Sequence, residues 1–282
     1  MLAGAALGGC AKPPAGQLEL SSYQPIDRTI TTASIAPQPL AQQQPVPARI
    51  HAGHLAGRTL AVGSTAEIIL KPGEVVLTFD DGPRPGRTDA ILDTLDQFGV
   101  KATFLMLGEP AEAHPETVRK VAAAGHTIGT HTFDHADLTK LSRQEALDEI
   151  AHGERAVAAA LSGSGYAPAP FFRFPYLAQD GFLRTTVMQG NMVVLDVDVD
   201  SKDYYTDTPE VVMARTLSRL DARGSGIILF HDIHPRTVAL LPGFLAALEE
   251  RGYSVVRLVP RNPAPFGRDV ITAQGPGETG AL

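Results

Sequence analysis

The sequence predicts an α/β fold built on a parallel sheet, either open or closed into a barrel. Three observations point there. From Pro72 onward, short β-rich runs alternate with helical patterns. The helical patterns carry their own start and stop residues. Polar residues of catalytic type fall just after the strands, where reactive groups collect in parallel α/β proteins.

The first strand is expected over Val75–Phe79. A helix over Thr88–Phe98 follows, with Ile91, Leu92, Leu95 and Phe98 on its apolar side and Gly99 as its stop. Next come a strand over Ala102–Leu107, a helix over Pro115–Ala124 ending at Gly125, and a short strand over His126–Gly129. Ser142-Arg143-Gln144-Glu145 is a capping box, in which the serine and glutamate side chains bond each other's backbone N–H, and it opens a helix to about Leu161. Strands are expected over Phe171–Phe174, Met192–Val197 and Gly226–Phe230. Thr208-Pro209-Glu210 starts a helix with proline at its first position, where the missing N–H costs little. A helix over Pro242–Arg251, stopped by Gly252, leads to the last strand, Tyr253–Leu258.

The 282 residues are 44% hydrophobic and 20% charged, ordinary values for a globular protein. A net charge of −7 and the lack of a basic cluster argue against a nucleic-acid partner. The single cysteine, Cys10, excludes an intramolecular disulfide and any multi-cysteine metal site. It follows a small apolar segment, and Leu7-Gly8-Gly9-Cys10 resembles a bacterial lipoprotein processing site, which implies a membrane tether through a lipidated Cys10. Residues 11–71 contain seven prolines up to Pro47 and the run Gln42-Gln43-Gln44, and are expected to form a flexible linker. The catalytic domain is expected over 72–260, with a loosely held tail at 261–282.

Five polar clusters sit at five strand ends. Asp80-Asp81, followed by Gly82-Pro83, ends the first strand. Side chains alternate along a strand, so two adjacent acids share a pocket only if the backbone turns at the second. Two carboxylates in one pocket repel unless a cation or a proton separates their roles. His131 and His135 follow the third strand, and their spacing would place both on one face of a helical turn. With one carboxylate they form a two-histidine, one-aspartate donor set, for which zinc is the expected ion and cobalt or manganese are compatible. Arg173 follows next, then Asp198, Asp200 and Asp203, then His231-Asp232-Ile233-His234. Some acids of Asp196-Val197-Asp198-Val199-Asp200 are expected to face solvent. Asp232 is a candidate partner for His231, and His234 either lines the site or caps the next helix. Phe133, Phe174, Tyr176, Tyr204 and Tyr205 cluster at the same ends, where sugar rings could stack.

These residues resemble the motifs of the polysaccharide deacetylase family, the NodB-homology domains of carbohydrate esterase family 4, over about residues 72–260. Thr78-Phe79-Asp80-Asp81-Gly82-Pro83 matches the first motif and His131-Thr132-Phe133-Asp134-His135 the second. Arg173-Phe174-Pro175-Tyr176 is similar to the third, usually Arg-Pro-Pro-Tyr. Asp200-Ser201-Lys202-Asp203-Tyr204 resembles the fourth, and Leu229-Phe230-His231 matches the fifth. The resemblance implies a distorted (β/α) barrel, often of seven parallel strands. It implies Asp81, His131 and His135 as metal ligands, Asp80 as general base and His231 as general acid. It further implies that Arg173 pairs with Asp80 and keeps it ionised, that Asp203 orients Arg173, and that Tyr176 offers its backbone N–H to the oxyanion. Phe174, Tyr176 and Tyr204 are expected to line the substrate pocket. The chain has no Trp, and Tyr204 and Val197 stand where the family often carries it. The implied substrate is an acetylated polysaccharide or oligosaccharide outside the bacterial cytoplasm, with an acetylxylan-type esterase or a non-catalytic sugar-binding protein as the alternatives. The chain is expected to act as a monomer.

Overall fold

The computed structural model describes residues 55–261. The lipoprotein-like segment, most of the expected linker and nearly all of the tail lie outside them. Every described residue belongs to one compact unit.

The strands are β1 (Ala56–Val62), β2 (Glu74–Asp80), β3 (Thr103–Met106), β4 (Thr127–Thr130), β5 (Phe171–Phe172), β6 (Val193–Val194), β7 (Val199–Asp200), β8 (Gly226–His231) and β9 (Ser254–Pro260). The helices are α1 (Arg87–Gln97), α2 (Gly108–Ala113), α3 (Pro115–Ala123), α4 (Arg143–Leu161), α5 (Gly181–Gln189), α6 (Pro209–Arg223) and α7 (Pro235–Glu250). Seven parallel strands in the order β7-β8-β2-β3-β4-β5-β6 form a nearly closed barrel. β9 pairs with β1 along most of its length and meets β2 only at Glu74–Val75.

Several expected boundaries moved. β1 falls inside the segment read as linker. It is an edge strand, exposed or half-exposed up to Val62, so its sequence lacks a clear apolar alternation. It is fixed by Arg58, which donates to both Glu74 oxygens at 2.8 and 2.9 Å, and by the Val255 N–H to the Leu55 carbonyl at 2.7 Å. The expected strand Met192–Val197 is shorter than expected, and a separate strand not expected from the sequence follows it. β6 stops at Val194 and β7 starts at Val199, with Asp196 and Asp198 turned to Arg184 and Arg223 between them. α7 begins at Pro235, and Pro242 lies inside it on the exposed side, where water can serve the carbonyl its missing N–H leaves unbonded. The capping box at Ser142, the Thr208 cap and the glycine stops at 99, 125 and 252 are where they were expected.

The alternation of β2 positions the site. Val75, Leu77 and Phe79 pack outward with helix residues such as Ile91, Leu95 and Leu245 in the main core. Val76 joins the separate interior cluster with Leu105, Phe171, Val193 and Ile227, so Thr78 and Asp80 also point inward. In β8, Ile228 and Phe230 point outward, which turns Leu229 and His231 inward. Asp80 and His231 are register partners at the ends of neighbouring strands. On β4, Gly129 leaves room for β5: a Cβ there would lie 2.4 Å from the Phe171 carbonyl oxygen and 2.8 Å from Leu105 Cδ1. Gly129→Ala should therefore cost about 1–3 kcal/mol by overpacking, lowering the thermal midpoint by several degrees with the circular dichroism spectrum retained. An unchanged midpoint would show that β5 can shift freely.

Candidate active site

At Asp81 the backbone leaves the strand with φ of 73°, which cancels the alternation and brings Asp81 to the same side as Asp80. Gly82 follows with the carboxylate of Asp232 pressed against it, and a Cβ there would sit 2.1 Å from Asp232 Oδ2. Asp232 is fully buried. Burial pushes its carboxyl up to about 7, although Thr88 Oγ1 donates to it at 2.5 Å. Asp232 thus supports the Asp81-Gly82 turn, and no hydrogen bond from its side chain to His231 accompanies the expected partnership.

His131 and His135 do not share a helical turn as expected. They flank a loop in which Thr132 and His135 have φ of 72° and 69°, held to α2 by Gly108 N–H to Thr132 O and Glu109 N–H to Phe133 O. The loop aims both imidazoles at Asp81: the two Nε2 atoms lie 3.6 and 3.5 Å from Asp81 Oδ1. That oxygen is buried without a hydrogen-bond partner among the described residues. Two nitrogens converging on an unpaired buried acceptor suit a divalent cation. His131 Nδ1 meets the Arg173 carbonyl at 2.7 Å, which places its proton on Nδ1 and leaves the Nε2 lone pair free. Burial holds this imidazole at about 3, so it is neutral.

Asp80 is buried beside this triad, with Oδ2 3.8 Å from His131 Nε2. Arg173 Nη1 bonds Asp80 Oδ1 at 2.7 Å and Thr78 Oγ1 at 2.8 Å, while Nε bonds the Leu195 carbonyl at 2.9 Å. Burial raises the Asp80 carboxyl above its ordinary value, and the charge of Arg173 pulls the other way without overcoming it. The expected Arg173–Asp80 pair is formed and acts in the expected direction, and burial is the larger, opposing effect. Thr78, absent from the candidate residues, is a partner that strand alternation could have revealed, because it lies two positions before Asp80 on the same face.

Asp203 does not orient Arg173. It accepts from the His231 ring at 2.6 Å, from the His231 backbone N–H at 2.8 Å and from Thr237 Oγ1 at 2.6 Å. Burial alone would lower the His231 imidazole, but the Asp203 bond and charge, with Asp81 and Asp80, raise it to about 9. His231 Nε2 is left facing Asp81 Oδ2 at 3.9 Å. Asp198 bonds Arg223 and the Ile227 N–H, and Asp200 accepts from the Lys202 N–H and the Tyr204 hydroxyl, so these two serve local structure. His234 occupies the first cap position of α7 without a side-chain cap bond, its ring 5.7 Å from that of His231.

The aromatic residues divide into rim and core. Tyr176 is 67% exposed and its ring meets His135 at 4.5 Å; Tyr204 is exposed and its ring lies 5.5 Å from His231. Phe174 is only 1% exposed and packs edge-on against Phe172, so it supports the wall from behind and offers substrate no surface.

Residues 69–193 match the family model described as Polysaccharide deacetylase. The chain is 34% identical over 218 residues to the chitin deacetylase of Colletotrichum lindemuthianum, covering 73% of this chain and 86% of that one. This chain belongs to the polysaccharide deacetylase family. It is an enzyme of that class. The deacetylase is also 34% identical over 184 residues to a peptidoglycan-N-acetylglucosamine deacetylase of Listeria monocytogenes, covering 65% of this chain but only 38% of that protein. Its fold matches the Bdellovibrio bacteriovorus peptidoglycan deacetylase with a TM-score of 0.66 and 35% identity, covering 78% of this chain and 60% of that one.

The Asp203–His231 contact has a direct solution signature. A folded value near 9 against an ordinary 6.5 means the pair's stabilisation is full below about 6.5 and is lost as pH rises through about 9. In Asp203→Asn, the His231 imidazole followed by NMR in metal-free protein should titrate at least one unit lower. An unshifted value would show that Asp203 does not hold the charge.

Proposed function

We propose that this deacetylase removes N-acetyl groups from an amino-sugar polymer outside the cytoplasm, with peptidoglycan the first choice and chitin-like oligosaccharides the second. Asp81, His131 and His135 would hold a divalent ion, zinc first. Such an ion supplies Lewis acidity, polarising a carbonyl oxygen and lowering the pKa of water from about 15.7 toward about 7. Asp80, buried and raised, takes the proton of the water that attacks the acetyl carbon. Arg173 and Thr78 fix the carboxylate in place for that transfer. As the C–N bond breaks, His231 gives its proton to the departing nitrogen, and Asp203 keeps the imidazole charged and oriented until then. The Tyr176 backbone N–H is the proposed donor to the developing oxyanion, and the exposed rings of Tyr176 and Tyr204 are the proposed platform for sugars.

One observation carries the choice of an amide. A buried His231 kept protonated by Asp203 suits an amine, which leaves only when protonated, whereas an ester makes less demand on the acid. The names of the similar chitin and peptidoglycan deacetylases support the same class of substrate.

The test is acetate release from peptidoglycan, chitooligosaccharides and acetylxylan by zinc-loaded protein. Release from at least one amino-sugar substrate, abolished by chelation and restored by zinc, is expected. Release from acetylxylan alone would overturn the amide assignment, and no release from any of them with zinc bound would overturn the polysaccharide reading.

A further inference from the structure

The two histidines of the proposed metal site are held in different ways. His131 is tied through its second ring nitrogen to the Arg173 carbonyl. His135 has Asp81 near Nε2 and the His131 and Tyr176 rings edge-on against it. Among the described residues no hydrogen bond ties its second ring nitrogen as the Arg173 carbonyl ties that of His131, so its pose leans on the backbone that carries it. That backbone is irregular, with positive φ at Thr132 and at His135 itself, and the segment between needs partners for its N–H groups.

α4 supplies them. Glu149 Oε1 accepts from the N–H of Phe133 and from the N–H of Asp134, both at 2.8 Å. One turn further on, the His152 ring stacks on Phe133 at 3.6 Å with an interplanar angle of 10°. Gly153 lets the helix reach the loop, since a Cβ there would lie 2.3 Å from the carbonyl carbon and oxygen of Thr132. Residues 149, 152 and 153 follow the i, i+3, i+4 spacing of one helix face. The adjoining face of α4 is anchored in apolar clusters through Ile150 and Val157, so the helix presents Glu149 from a fixed position. Carboxylate bonds to backbone N–H are charge-assisted and about twice as strong as neutral ones.

We infer that Glu149 is a positioning residue for the metal site: by holding the Phe133 and Asp134 amides it sets the pose of His135 toward Asp81. The inference rests on the metal reading above and goes beyond it, because Glu149 is not one of the three proposed ligands.

Zinc titration of the metal-stripped full chain by calorimetry tests it, with the visible spectrum of the cobalt-substituted protein as a second readout. Glu149→Ala should weaken zinc binding by about 10- to 100-fold, the range for groups that orient metal ligands, and should alter the cobalt band. Glu149→Gln, whose amide oxygen can still accept from both N–H groups, should stay within a few-fold of wild type. Equal affinity in wild type and Glu149→Ala would overturn the inference. So would a Glu149→Gln loss as large as that of Glu149→Ala, or a metal-free Glu149→Ala protein that has lost its fold, which would mark the role as structural. A wild-type chain that fails to bind zinc would instead overturn the metal reading itself.

Discussion

The site depends on one backbone turn. β2 delivers Asp80 inward by alternation, and a regular strand would send Asp81 outward into the helix layer. The positive φ at Asp81 turns it back, and the close seat of Gly82 on Asp232 makes that turn compact. Two carboxylates then share one pocket, which is unfavourable until their surroundings differ. Asp81 keeps an unpaired oxygen between two imidazoles, while Asp80 is bonded by a buried guanidinium. Stranding either charge of such a buried pair costs about 3–5 kcal/mol, so Arg173 and Asp80 hold each other in place as much as they tune each other.

The remaining groups extend that asymmetry. The register pairing of Asp80 with His231 fixes base and acid on adjacent strands, one above its ordinary value through burial and the other through Asp203. Arg173 bridges Thr78 and the Leu195 carbonyl, so interior groups on three strands or strand ends meet at one side chain. Catalysis of this type gains mostly from groups fixed in advance, and few of these have freedom to move.

Much of the architecture was legible because β2, β3 and β8 are buried runs with clean boundaries and the helices carry capping boxes, N1 prolines and stop glycines. β1 escaped because it is an exposed edge, and the end of β6 was misplaced and β7 missed because Asp196 to Asp200 alternate like a strand while Asp196 and Asp198 bond to arginines. Motif order exposed the site residues, yet it could not say who touches whom. Asp203 was assigned to Arg173 and belongs to His231; Phe174 was assigned to the pocket and is core. The histidine spacing suggested a helical turn, whereas the loop's geometry comes from contacts with α2 and α4 that are far away in sequence.

The division of labour between the adjacent aspartates is tested most directly by measuring zinc affinity and acetate release on the same preparations of Asp80→Asn and Asp81→Asn. Asp80→Asn should bind zinc within a few-fold of wild type and lose nearly all turnover, and Asp81→Asn should lose zinc affinity. Near-normal turnover in Asp80→Asn, or wild-type zinc affinity in Asp81→Asn, would contradict the account.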